Sequence, residues 1–382
     1  MNMKNIARQR LETIQQELID LSHRIHAMPE LGFHEKKAAT WLSEMLKKQK
    51  FIVQKGIHNL PTAFIANMGK GSLHIAICAE YDALPEIGHA CGHNIIATAA
   101  LGAAIAISNL TDDLDIKLSV IGTPSEESVG GKIILLKNGA FNDVHAAMMI
   151  HPAPFDIVDP VIIAASEFIV NFKGKESHAS AFPELGINAA DAMTIAQTAI
   201  GLLRQHIKNT DRIHGIITKG GDAPNVIPAF TRAKYIIRSK NLEELEVLRS
   251  KVKHCFEAGA LATGCTLEFE EDGNIYANMI HHSEIAAIYQ KNAEALGRTF
   301  PDLGDTKQRF SGSTDMGNIS QVIPSIHPII SIDSLPAVNH QPEFTACCIT
   351  PSADKAIIDG ALAMAWTIID IALDRKLRES LM

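Results

Sequence analysis

The 382-residue chain has no low-complexity tract, no cysteine framework and no stripe of basic side chains, and each absence narrows its chemistry. Asp and Glu outnumber Lys and Arg by 43 to 35, and the formal net charge of −8 argues against a polyanionic partner such as nucleic acid. Six cysteines, at positions 78, 91, 255, 265, 347 and 348, lack disulfide-scaffold spacing. In a chain of this length they read as reduced thiols or metal ligands. The opening MNMKNIARQRLETIQQELIDL has no apolar signal region or cleavage site, so no export is expected and the expected compartment is cytoplasmic. The longest apolar stretch, 95–107, is too short and too rich in alanine to span a bilayer. Segment 356–373 is longer but carries Asp359 and Asp370 and reads as a buried helix, so no membrane partner is expected.

What is present is an ordinary globular composition, 46% hydrophobic and 20% charged, on a chain longer than one hydrophobic core usually supports. Leu11, Ile14, Leu18, Leu21 and Ile25 recur at three- and four-residue steps, which predicts one amphipathic helix ending before Pro29. A second helix is expected from about Glu35, with Trp41, Leu42, Met45 and Leu46 on one face. Strands are expected at 62–67, 73–79, 116–121 and 146–150, with an apolar helix from Asn94 among them. Almost wholly apolar strands alternating with helices imply an α/β layer with a mostly parallel, doubly wound sheet.

The middle third reads strand 167–174, helix 187–207, strands 212–219 and 230–239, helix 242–263 and strand 266–270. That β-α-β-β-α-β order is the ferredoxin-like α+β sandwich. Helix 283–296, strand 323–332 and a long last helix follow. The expected organisation is therefore a larger α/β domain in two parts, 1–165 and 277–382, with an inserted α+β domain, 166–276, between them.

Ligands of an open α/β sheet gather beyond the carboxyl ends of its strands, and four polar clusters fall there. Glu80-Tyr81-Asp82 follows strand 73–79, and His89-Ala90-Cys91-Gly92-His93-Asn94 precedes the apolar helix. Cys91 and His93 flank a glycine turn that lets both point at one ion, and thiolate with imidazole favours zinc or a similar borderline metal. A lone Cys-x-His pair is more often a buried thiol beside surface histidines. Glu126-Glu127 follows strand 116–121; one carboxylate can ligate while its neighbour acts as general base, although such a pair alone reads as an exposed acidic loop. His151 ends strand 146–150 and His340 lies in a polar loop before the last helix. Each is unremarkable singly. Together with Cys91, His93 and the paired glutamates they supply enough donors for two ions.

The chain resembles the aminoacylase and carboxypeptidase family of co-catalytic metallo-hydrolases, nearest its amidohydrolase branch of hippurate, auxin-conjugate and aminobenzoyl-glutamate hydrolases. The resemblance rests on MPELGFHE, AEYDALPEIGHACGHN, GTPSEESVGGK, MIHPAP, GKESHASAFPELGINAADA, GGDAPNVIP, GSTDMGN and NHQPEF, spread over nearly the whole chain. It implies that Cys91 bridges two divalent ions (zinc or manganese, with cobalt suited too) and that His93, Glu127, His151 and His340 complete the ligand set. Glu126 matches the general base acting on the water between the ions, and Asp82 a carboxylate that orients the site. Glu80 stands where much of the branch has Asp, and its role is open.

The same resemblance makes the inserted domain a lid and dimerisation domain, hence a homodimer or higher homo-oligomer. His178 matches a lid histidine that steadies the oxyanion, and Asn225 and Arg238 match polar positions for a substrate carboxylate. Read alone, Arg238 is a strand-face residue in a surface salt bridge. Gly312, Ser313 and Thr314 match a pocket-lining loop, and read alone they are a flexible connection. The implied activity is hydrolysis of an amide bond in a small N-acyl amino acid, aminobenzoyl-glutamate-like or dipeptide substrate. The E-Y-D-A-L-P form looks most like the aminobenzoyl-glutamate hydrolase and related dipeptidases. A broader peptidase acting on longer peptides is the alternative. A non-catalytic metal-binding paralogue would lack a ligand or the base, and here every expected position is filled.

Overall fold

The computed structural model describes residues 2–304 and 311–382. It divides into two compact units, Met1–Val161 with Met279–Met382, and Ile162–Asn278. The first unit begins with α1 (Met3–Glu12), α2 (Gln15–His26), α3 (Lys36–Lys48), β1 (Ile52–Lys55), β2 (Phe64–Met68) and β3 (Leu73–Ala79). It continues through α4 (His93–Ile107), β4 (Ile116–Gly122), α5 (Gly131–Lys137), β5 (Ala146–Met148) and β6 (His151–Ala153). The second unit is β7 (Ala164–Lys173), α6 (Ala189–Leu203), β8 (Arg212–Lys219), β9 (Phe230–Ser239), α7 (Leu242–Thr263) and β10 (Thr266–Glu271). The chain then returns to the first unit with α8 (Ser283–Glu294), α9 (Met316–Ser320), β11 (Ser325–Ile326), β12 (Ile329–Ser331), α10 (Pro342–Cys347), α11 (Pro351–Leu373) and α12 (Arg375–Leu381).

The first unit's main sheet has the order β1-β2-β4-β3-β5-β11, parallel from β4 to β11 and antiparallel at the β1 and β2 edge. Every residue of β3 is buried, as a central strand covered on both faces must be. The helical span His93–Leu110, which is α4 with the 3-10 turn after it, and helix α11 are long and apolar enough by composition to cross a bilayer; here α4 and α11 pack against each other in the core, and α4 is buried at all 15 positions. Gly102 permits that approach, since a Cβ there would lie 2.9 Å from the Ala361 Cβ. The second unit is an antiparallel sheet, β10-β7-β9-β8, with α6 and α7 packed on it around Phe168, Phe172, Tyr235 and Phe256.

Three expected elements are divided. The opening helix breaks at Thr13, whose hydroxyl bonds back to the Arg10 carbonyl at 2.7 Å, although Leu11, Ile14, Leu18, Leu21 and Ile25 are all buried as the periodicity requires. Strand 323–332 splits at His327-Pro328, where proline brings no N–H for a ladder, and β12 pairs with β6 in a separate two-stranded sheet. Strand 146–150 likewise ends at Met148, and His151 opens β6.

Because β3, β4 and β5 run parallel, their carboxyl ends share one edge, and Glu80, Asp82, Glu126, Glu127 and His151 all follow those ends. The turn after β4 is held from outside the sheet. Ser125 sits in the left-handed region (φ 62°), and its N–H donates to Glu35 Oε1 at 2.9 Å. The neighbouring segments leave no slack: a Cβ on Gly32 would lie 2.6 Å from Ser125 Oγ, and one on Gly131 would lie 1.8 Å from the Pro124 carbonyl oxygen. The MPELGFHE segment thus acts as a bracket for the Glu126-Glu127 loop.

Burial, reinforced by the charge of Asp82, pushes the Glu35 carboxyl up to about 7 from its ordinary value near 4.5. A raised acid stabilises the fold fully below its ordinary pKa, and that contribution is lost as pH climbs through the raised value. In chelator-treated protein Glu35→Gln is therefore expected to unfold at higher urea than the parent at pH 8 and to show little advantage at pH 4. A parent more resistant than the variant at pH 8 would contradict this account.

Candidate metal centre

Cys91 and His93 are aimed by the residue between them. Gly92 is left-handed (φ 74°), and a Cβ there would lie 2.4 Å from Pro152 Cγ, so the turn presses directly on the segment that carries His151. Cys91 Sγ lies 3.3 Å from His151 Nε2 and 3.6 Å from His340 Nε2. His340 is itself left-handed (φ 68°), and its N–H donates to the Ala90 carbonyl at 2.9 Å, which pins the His340 loop beside the cysteine turn. Non-glycine residues in this region are uncommon, and Ser125 and His340 both border the candidate donors.

Asp82 orients the opposite wall. His93 Nδ1 donates to the Asp82 carbonyl at 2.8 Å and lies 3.0 Å from Asp82 Oδ1, while Asp82 Oδ2 accepts from the Glu127 N–H at 3.0 Å. With Nδ1 committed, Nε2 is the histidine's free donor face; it is buried without a hydrogen bond, as is Glu127 Oε1, 3.9 Å away. His340 Nε2 lies 3.7 Å from Glu127 Oε2. Two donor sets result, Cys91, His93 and His151, and Cys91, Glu127 and His340, each with its ligand atoms within 4.8 Å of one another. Cys91 belongs to both. The structure therefore gathers all five expected ligands, with Glu126 Oε2 3.9 Å from His93 Nε2.

The electrostatics suit cations. Burial, then the neighbouring Glu127, raises the Cys91 thiol well above its ordinary range. Burial likewise raises Glu126, with Glu80, Glu127 and Asp315 adding to it, and raises Glu127 against the opposing charges of His93 and His340. Burial holds His151 down to about 4, the neutral form in which imidazole ligates. Asp82 is lowered despite its burial, because His93 and the hydrogen bonds it accepts outweigh desolvation. Buried polar atoms without hydrogen bonds, in a mixed thiolate, imidazole and carboxylate set, fit two borderline divalent ions.

The second unit carries His178, Asn225 and Arg238. His178 is exposed and its Nδ1 accepts from the Ser180 and Ala181 N–H groups at 3.3 and 3.1 Å. Asn225 lies beside it, since His178 pairs with Val226 and the Asn225 carbonyl accepts from Ala179 N–H at 3.0 Å. Arg238 is not brought to them. It is half-buried near the far end of β9, roughly 27 Å of extended strand beyond Phe230. Gly312 is exposed and Ser313 half-buried, whereas Thr314 is buried and its hydroxyl accepts from Met316 N–H at 3.2 Å, ahead of the Asp315 N-cap of α9.

Three buried residues around this centre, Lys132, Asp315 and His327, were given no part by the sequence, and a fourth, Glu80, had its role left open. Lys132 lies between Glu80 and Asp315, and all three are fully buried. Their only sequence signal is position: Lys132 ends the SEESVGGK run and Asp315 follows Thr314. His327, between β11 and β12, stands edge-on to His151 with 5.6 Å between ring centroids and neither nitrogen hydrogen-bonded. Burial keeps it neutral, and no pattern in the sequence marks it.

Residues 164–263 match the peptidase dimerisation domain family, and this span falls within the second unit. The Xaa-Arg dipeptidase of Mus musculus is 37% identical over 391 aligned positions, covering 99% of this chain and 90% of the relative. A p-aminobenzoyl-glutamate hydrolase polypeptide of Escherichia coli K12 is 33% identical over 301 positions, covering 73% of this chain and 63% of the relative. Among solved structures, a dinuclear metal-binding peptidase of the M20 family from Bacillus subtilis superposes with a TM-score of 0.71 at 20% identity, covering 94% of this chain and 99% of the other. The extent of the dipeptidase match, on a fold with this donor arrangement, leads to one assignment: the chain is a hydrolase of the M20 peptidase family.

Proposed function

We propose that this protein hydrolyses the amide bond of small dipeptides or N-acyl amino acids with two divalent ions, zinc, manganese or cobalt, and that Glu126 is its general base. The observation that carries the reading is the sharing of Cys91 between two donor triplets with Glu126 beside them. His93 and His151 would hold one ion with Cys91, and Glu127 and His340 the other. Bound ions lower the pKa of water and polarise a carbonyl.

Glu126 takes a proton from the attacking water and returns it to the nitrogen of the departing amine. Its raised affinity for a proton matches both duties, because a strongly acidic carboxylate would accept poorly. Asp82 keeps His93 and the Glu127 backbone in register. By the family resemblance, His178 is the donor for charge on the carbonyl oxygen, and Asn225, next to it, a donor for a substrate carboxylate. Arg238, distant from that pair along its strand, remains a candidate for the same carboxylate on resemblance alone. Dimerisation through the second unit is supported by the family description of residues 164–263, and a reducing, cytoplasmic setting by six free cysteines.

The preferred substrate proposed is a dipeptide whose carboxyl-terminal residue is basic, after the relative that matches over most of both chains. A panel of Xaa-Arg dipeptides, N-acyl amino acids and aminobenzoyl-glutamate, each with zinc, manganese or cobalt supplied, should give the highest kcat/KM on Xaa-Arg. Cleavage of aminobenzoyl-glutamate alone would refute that preference. Glu126→Gln should lower kcat by roughly 10²–10⁴-fold with metal content unchanged by elemental analysis; turnover at the parental rate would remove Glu126 from the base role. Cys91→Ala should lose ions from both positions, and two ions retained would disprove the shared thiolate.

A further inference from the structure

Behind the candidate ligands lies a charged group that the mechanism leaves unused. Lys132 Nζ donates to Glu80 Oε1 and, at 2.6 Å, to Asp315 Oδ1, while Asp315 Oδ2 accepts from the Lys132 N–H at 2.8 Å. All three side chains are inaccessible to solvent. Asp315 is thus occupied at both oxygens, but Glu80 at one. Glu80 Oε2 is buried and makes no hydrogen bond. It lies 3.5 Å from His93 Nε2, the ring nitrogen that also lacks one. A ligand atom from each of Glu80, His93 and Glu126 falls within 4.8 Å of the others.

One lysine between two carboxylates leaves a buried surplus of negative charge, and the surplus faces His93. An isolated buried carboxylate oxygen is strongly disfavoured unless a donor or cation meets it. A cation at His93 Nε2 would meet both orphaned atoms together. On the two-ion reading, on which this inference rests, that is the ion of Cys91, His93 and His151. We propose that Glu80 Oε2 is a further donor to this ion and that Lys132 and Asp315 are positioning residues, fixing the other half of the carboxylate so that Oε2 projects inward. A carboxylate added to one thiolate and two imidazoles brings the protein donors to four. Any water would then be a fifth ligand, one more than closed structural zinc sites hold.

The test is titration of chelator-stripped full-length protein with cobalt, read by calorimetry for stoichiometry and by visible absorption for coordination number. Parent protein should bind two ions. Glu80→Gln should weaken one of them by about 10–100-fold, leave the other unchanged and shift the cobalt absorption towards that of a lower coordination number. Glu80→Asp, which keeps the charge beside Lys132 but withdraws the oxygen by about 1.5 Å, should weaken the same ion and serves if Glu80→Gln does not fold. Asp315→Asn should weaken it to a smaller degree. Unchanged affinities and spectrum in both Glu80 variants would overturn the proposal while the two-ion reading stands. A parent binding fewer than two ions would overturn that reading itself.

Discussion

Glu80, Asp82, Glu126 and Asp315 are buried at one edge of a parallel sheet, and among the described residues Lys132 is the sole buried lysine or arginine available to balance them. That imbalance governs the design of the first unit. Each acid is placed where desolvation disfavours its charge, so each must be met by a donor, a cation or a proton. Asp82 is met by His93 and the Glu127 amide, and Asp315 by Lys132 twice over. Glu80 is half met, and Glu127 leaves one oxygen without a hydrogen bond. The remaining demand converges on the space between Cys91, His93, His151 and His340, where the donors are the neutral or acidic groups that cations bind.

Backbone conformation serves the same end. Gly92, Ser125 and His340 all adopt left-handed dihedrals, each within one residue of a candidate donor or at one. Such conformations persist where the surroundings over-determine them, and each has an identifiable restraint. Pro152 crowds Gly92, Glu35 binds the Ser125 amide, and the Ala90 carbonyl holds the His340 amide. The donors therefore sit on turns clamped by other turns, and the clamps come from α3's leading segment, β6 and the cysteine loop itself. Precision at the centre comes from this mutual bracing rather than from any one element.

Much of this was legible in the sequence because strand ends are legible. Apolar runs mark β3, β4 and β5, and polar residues directly after them must lie on one rim if the strands are parallel, which groups Glu127 with His151; Cys91 and His340, 249 positions apart in loops that precede helices, joined them as ligands through the family resemblance. The second unit's β-α-β-β-α-β order was readable for the same reason of periodicity. What could not be read was pairing among charges. Lys132 and Asp315 are 183 positions apart, and nothing in either neighbourhood says that one will meet the other in the dark. A lysine after Gly-Gly and an aspartate before a short helix both resemble solvent-exposed ends. The breaks at Thr13 and Pro328 escaped because hydrophobic spacing continues through them, Leu11 to Ile14 and Ile326 to Ile329, while the hydrogen-bond ladder does not.

The buried acids also tie ion binding to the stability of the fold. Ligands that bind only the folded state stabilise it by mass action, and metal sites assembled from distant segments add their binding energy to folding. Here the segments are the turns after β3 and β4, the start of β6 and the loop before α10, so two ions held by the two donor sets would together crosslink four parts of the first unit, adding to the hydrogen bonds that already join them. Because one sulfur belongs to both donor sets, two ions bound there would share a ligand, and occupancy of one position would remove part of the desolvation cost that the thiolate imposes on the other. The charge surplus that makes the rim a poor hydrophobic core is thus the property that suits it to cations, and on the proposed mechanism stability and catalysis would draw on the same side chains.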